Sequence, residues 1–97
     1  MSHHDQSELS YIYLVLLSFQ NLIKIGKTSQ NNFNFLYQYP SDTTVIIKSI
    51  CYDCDNVKKE LIQEFSQKYV HRRDIGNDYF QGNYIEMCKD IQNKIFP

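Results

Sequence analysis

Between residues 9 and 23 the chain has no charged side chain, and the first acid after Glu8 is Asp42. So apolar a run is driven out of water, and its residue types decide the form in which it is buried. Residues 11–17 (YIYLVLL) are β-branched, aromatic and leucine side chains, which favour a buried strand. Ser18, Phe19, Gln20 and Asn21 supply a turn, and residues 22–25 (LIKI) resume as a second strand. Gly26 closes it where a side chain would block a tight turn or the approach of another group to the backbone. A hairpin over residues 11–28 is thus the element that the rest of the chain covers.

With 97 residues there is room for one core and no second one. After Gly26, residues 27–32 form a polar cluster suited to capping. Phe33, Leu36 and Tyr37 follow at helical spacing, so a short amphipathic helix is expected over residues 33–39, stopped by Pro40. Residues 43–50 (TTVIIKSI) have the highest β-propensity in the chain and pair with the hairpin as a third strand. Asp53 or Asp55 caps a longer helix that ends near Tyr69, with Val57, Leu61, Ile62, Phe65 and Tyr69 on its apolar face. Residues 71–83 (HRRDIGNDYFQGN) read as a loop whose Tyr79 and Phe80 plug the core. Asn83 with Glu86 then opens a last helix, packed through Tyr84, Met87, Ile91 and Ile95. The expected fold is α+β, a small three-stranded, largely antiparallel sheet flanked by about three helices. It forms a single domain over residues 10–97, behind a disordered tail over residues 1–9.

Ten Lys and Arg against eleven Asp and Glu leave a net charge of −1, so bulk electrostatics do not mark a nucleic-acid-binding protein. The distribution says more. Lys24 and Lys27 lie in the acid-free stretch, and Lys68, His71, Arg72 and Arg73 form a second basic cluster. Such charges are a solvated face or a phosphate-contacting one. No apolar run approaches the roughly 20 residues of a membrane helix, and the polar, acid-containing start (MSHHDQSELS) is not a secretory signal. An intracellular protein is expected. Cys51, Cys54 and Cys88 are an odd set for which reduced thiols are the default. The Cys51-Tyr52-Asp53-Cys54 spacing also occurs in metal and redox sites. A zinc site would need two further ligands, for which Cys88 and His71 are the candidates, and a redox pair would need to open a helix; buried or turn thiols are the expectation.

Tyr11-Ile12-Tyr13 in one strand and Lys24-Ile25-Gly26-Lys27-Thr28 at the end of the next resemble the paired motifs of the GIY-YIG superfamily. The likeness is to the branch found in bacteriophages and large DNA viruses. Tyr11 stands for that family's leading glycine and Lys24 for its second tyrosine, a lysine there being common in the viral branch. That branch follows its third strand with a helix of the form Glu-x-x-Leu-His-x-x-Phe, then a segment with an acid, an aromatic, Phe and Gly. Leu61, Ile62 and Phe65 fit the first pattern and residues 78–82 (DYFQG) the second.

The resemblance implies chemistry around a scissile phosphate: tyrosines that position water, an arginine on the first helix, and a glutamate on the long helix that holds a divalent metal. Tyr13 matches the first tyrosine. The arginine position falls on Asn34 or Phe35, and no arginine precedes Arg72. The glutamate position falls on Lys58, while Glu60 lies about 200° further around an ideal helix. The resemblance therefore implies a degenerate, catalytically inactive domain that binds nucleic acid weakly through Lys24, Lys27, Arg72 and Arg73, with no cofactor. Its setting would be a host cytoplasm or nucleus, or a virion. Two alternatives stand beside it. One is a Mg²⁺-dependent DNA endonuclease using Tyr13 and a displaced Glu60; the other is a structural protein that meets a protein partner or a second copy of itself through the acid-free surface.

Overall fold

Strand β1 (Leu9–Leu17) alternates, and its two sides meet different company. Ile12 and Leu14 face one way; Tyr11, Tyr13 and Val15 face the other. The structure, a computed structural model, describes residues 9–97. The tail and its histidines His3 and His4 therefore lie outside the described residues, apart from Leu9, which opens β1 and pairs with Tyr52.

β1 is flanked on both edges by antiparallel partners. On one side β2 (Leu22–Thr28) pairs Tyr13 with Gly26 and Val15 with Lys24. On the other, β3 (Thr44–Tyr52) pairs Tyr13 with Lys48 and Tyr11 with Ile50, with a register shift at Leu14 and Val15. Helix α1 (Cys54–Lys68) follows, then β4 (Val70–His71), β5 (Tyr79–Gln81) and helix α2 (Tyr84–Ile95). The sheet order is β3-β1-β2-β5-β4. The α+β class agrees with the sequence reading, but the sheet has five strands rather than three. The two extra strands lie in the expected loop over residues 71–83 and just before it. They are so short that no alternation marks them; β5 is made a strand by pairing with β2 through Ile23–Phe80 and Lys24–Tyr79, and β4 by pairing with β5 through Val70–Gln81 and His71–Phe80.

The helices also number fewer than expected. The first is a 3₁₀ segment, Asn34–Gln38, preceded by Phe33 and without a side-chain cap. Five residues ending before Pro40 are too few to sustain an α-helix in water; Phe35 alone of them is buried. α1 starts after Asp53, whose φ of 51° lies in the left-handed region and whose side chain caps nothing. The backbone carbonyl of Asp53 accepts from the Asn56 and Val57 amides instead, and Asp55 turns to Lys27. At α2 the expected cap is present: Asn83 Oδ1 accepts from the amides of Ile85 and Glu86.

Both helices cover the Ile12–Leu14 side. Ile12, Leu14, Ile23, Ile25 and Phe80 from the sheet meet Leu61, Phe65, Met87 and Ile91 from the helices in one buried cluster. Phe65 sets its ring edge-on to both Phe80 and Tyr69. Tyr84, expected to face inward, is exposed at the first turn of α2. Tyr79 and Phe80 part company because adjacent strand residues point to opposite faces: Phe80 enters this core and Tyr79 the other side.

Candidate nucleic-acid interface

Among the described residues, the other side of the sheet is covered by the segment between β2 and β3. Its buried set is Tyr13, Val15 and Phe35, with Leu17, Leu36, Tyr39 and Val45 packed against them. Gly26 explains how Tyr13 fits. The glycine is inside β2, not at its end as the sequence suggested, and a Cβ there would overlap the Tyr13 ring. The ring lies over the glycine and against Phe35, 4.3 Å between centroids. Its hydroxyl meets that of Tyr39 at 2.7 Å. Burial, then the bond to Tyr39, push the Tyr13 phenol far above its ordinary value. Tyr13 is 2% exposed and stays protonated at any physiological pH, which unsuits it as a base.

Two lysines share this face. Lys24 stands opposite Val15, with Nζ 5.1 Å from the Tyr39 ring centroid and 5.7 Å from that of Tyr79. Lys48 stands opposite Tyr13 on the other flank, with Nζ 4.0 Å from the Tyr11 ring, 5.3 Å from Phe33 and 6.0 Å from Phe35. Neither forms an ion pair among the described residues. Aromatic faces attract an ammonium without neutralising it, so both charges remain available to an anion. Sequence reasoning missed Lys48 and Tyr39. Alternation along β3 contained the signal for Lys48, the single charge in that strand.

The other sequence candidates lie elsewhere. Lys27 is opposite Ile12, on the helix side of the sheet, and bonds Asp55 at 2.6 Å, which raises its own pKa and lowers that of Asp55. Arg72 forms a two-pronged pair with Asp74. Arg73 is exposed and forms no ion pair among the described residues. Glu60 takes a bond from Asn56 and an ion pair from Lys94, which also meets Glu64. Because α1 packs on the helix side, Glu60 and Tyr13 are separated by the sheet. Lys58 reaches Asp78 at 3.5 Å. Among the described residues no group of three or more His, Cys, Asp or Glu side chains is placed to hold a metal ion. Glu60, paired with the Lys94 ammonium, and Lys58, a cation at the expected glutamate position, do not fit a Mg²⁺ ligand set.

No disulfide joins Cys51, Cys54 and Cys88. Cys51 is buried at the end of β3, and Cys54, also buried, is the first residue of α1. A helix start would favour a thiolate, yet burial, then Cys51, push the Cys54 thiol up to about 12, and burial raises Cys51 and Cys88 too. His71 stacks on Phe80 at 4.5 Å and bonds the Asn77 carbonyl oxygen through Nε2.

Compared with protein-family models, with curated proteins and with solved structures, the chain matches none.

Proposed function

We propose that the chain is a GIY-YIG-like domain that binds nucleic acid through the tyrosine–lysine face of its sheet and does not cleave it. The observation that carries the reading is the pair Lys24 and Lys48, each seated on aromatic rings of one face and neither paired with an acid among the described residues. Lysines so placed contact phosphate and read no bases, which gives sequence-independent binding. The viral resemblance of residues 11–13 and 24–28 supports the same class of ligand.

Support for the absence of cleavage comes from the same residues. The position where the family sets an arginine is Asn34 or, buried against Tyr13, the ring of Phe35. The metal-binding glutamate is replaced by Lys58, and Tyr13 is a shielded phenol. Losing one transition-state donor commonly costs about 10²–10³ in rate, and two are missing here. Glu60 sits across the sheet from Tyr13 and does not repair the deficit.

The test is duplex and single-stranded DNA binding at graded salt, with K24Q/K48Q as the variant. Wild-type affinity should fall with salt, and the variant's log–log salt slope should be shallower by about 0.7–0.9 for each lysine that contacts phosphate. No binding at low salt, or binding indifferent to both lysines, would refute the reading. Plasmid nicking with Mg²⁺ that E60Q abolishes would instead establish the displaced-glutamate nuclease. A protein-partner reading has its own observation: β3 is an edge strand with Ile50 and Tyr52 exposed beside Phe96. Sedimentation showing self-association that I50K removes would favour it.

A further inference from the structure

Beside Lys24 the covering segment forms a cavity of about 320 Å³, lined by Leu36, Tyr37, Tyr39, Pro40, Ser41 and Thr43. That is within the range of small-ligand sites, roughly 300–1,000 Å³. Three features give it a chemical character. Tyr37 is 87% exposed, more than any other large apolar or aromatic side chain among the described residues. An aromatic ring held in water next to a cavity has flat surface to offer, and among the described residues nothing is stacked on it. Tyr39 is shared: its hydroxyl bonds Tyr13, its ring receives Lys24, and it also walls the cavity. Third, Thr43 Oγ1 is the one buried side-chain polar atom, among the described residues, without a hydrogen-bond partner. A buried hydroxyl of that kind normally has one.

We infer that this cavity receives an unpaired nucleobase, stacked on Tyr37 and Tyr39, with Lys24 contacting an adjoining phosphate, so that the preferred ligand is a single strand. The inference rests on the proposed nucleic-acid binding and narrows it. A base offers a π-face for the tyrosines and a hydrogen-bonding edge for Ser41 and, once it turns about χ1, for Thr43; a phosphate meets the uncompensated ammonium of Lys24. In a duplex each base is stacked on its neighbours and paired, so its face cannot enter a cavity unless it is flipped out. A purely aliphatic ligand would leave both the hydroxyls and the charge unused.

Fluorescence anisotropy with labelled oligothymidylate, the matching oligouridylate, a duplex of equal length, and a strand of abasic spacers tests it. The expected order is oligothymidylate tighter than duplex and than the abasic strand, which keeps the phosphates and lacks the bases. Y37A, at an exposed position that leaves the fold intact, should weaken oligothymidylate binding by about 5-fold or more, the low end of one base–aromatic stack, and leave duplex binding unchanged. T43V should weaken the single strand and spare the abasic one. Comparing the two homopolymers tells whether DNA or RNA suits the cavity better. Equal affinity for duplex, oligothymidylate and abasic strand, with Y37A silent, would overturn this inference while leaving phosphate binding by Lys24 and Lys48 intact. Absence of binding to all four would overturn both.

Discussion

The two faces of the sheet are built from the same three long strands and obey different rules. On the helix side, Ile12, Leu14, Ile23, Ile25 and Phe80 are buried without a polar atom among their side chains, under two helices that contribute Leu61, Phe65, Met87 and Ile91. On the other, the positions opposite one another are Tyr11 and Ile50, Gly26, Tyr13 and Lys48, and Lys24 and Val15, under one irregular segment. The first face is shaped to exclude water. The second pairs its buried Tyr13 hydroxyl with Tyr39 and, among the described residues, leaves two ammonium groups without an acid. The aliphatic packing is thus concentrated on one side and the proposed recognition face is the other, a division that substitutions can test.

The largest effect is expected from the helix side. Phe65→Ala removes a fully buried ring that contacts Phe80 and Tyr69, and should cost about 3–5 kcal/mol in urea or thermal unfolding. A loss of that size is a large fraction of a small domain's stability, which runs at about 5–15 kcal/mol.

Next is Gly26→Ala. Its new Cβ would collide with the Tyr13 ring, and displacing that ring should cost about 1–3 kcal/mol. The Tyr13→Ala background should shrink the penalty, because the obstacle is gone; a strictly additive double mutant would contradict the contact between ring and glycine.

A smaller effect belongs to Tyr13→Phe, which removes the 2.7 Å bond to Tyr39 and should cost about 0.5–1.5 kcal/mol. Its pH signature has a definite sign. Above the unfolded phenol's pKa of about 10 the unfolded chain releases its proton while folded Tyr13 keeps it, so stability falls as pH rises. Below about pH 10 the contribution is fully present. Tyr39 and Tyr69 are raised as well, so the alkaline decline should persist in Tyr13→Phe and be shallower. An unchanged slope from thermal melts at pH 9 to 11 would show that the tyrosine is not shielded.

The smallest effect is expected at Lys27. Lys27→Gln severs a solvent-exposed pair with Asp55 on the helix side, so neither the melting midpoint nor oligonucleotide affinity should move measurably at moderate salt. Affinity that falls as much as in Lys24→Gln would mean that both sides of the sheet touch the ligand.

Much of this architecture was legible in the chain itself. The hairpin, the third strand, the long helix and the Asn83 cap arise from local patterns, as does the placement of Tyr11 and Tyr13 on one side. The GIY-YIG resemblance singled out Tyr13, Gly26 and Lys24; Gly26 lies under the Tyr13 ring, and Lys24 meets the Tyr39 that Tyr13 bonds. Other parts were beyond reach for physical reasons. Phe33, Leu36 and Tyr37 have helical spacing, but the segment is too short to hold an α-helix, and it is spent covering the sheet. Lys24 and Lys27 look alike in the sequence, yet three positions along a strand is an odd step, so they emerge on opposite faces.

What the sequence by itself determined is therefore the alternation within a strand: Ile12 and Leu14 share one side of β1, and Tyr11 and Tyr13 the other. Only the tertiary structure decided which charges are spent and which remain. Lys27 meets Asp55 from α1, Arg72 meets Asp74, and Lys58 meets Asp78, whereas Lys24 and Lys48 meet only rings among the described residues. It also decided that residues 70–71 and 79–81 are strands. The physical reason is range: side-chain direction is set by the backbone of a few neighbouring residues, while an ion pair or an edge-strand hydrogen bond depends on groups brought together from distant parts of the chain.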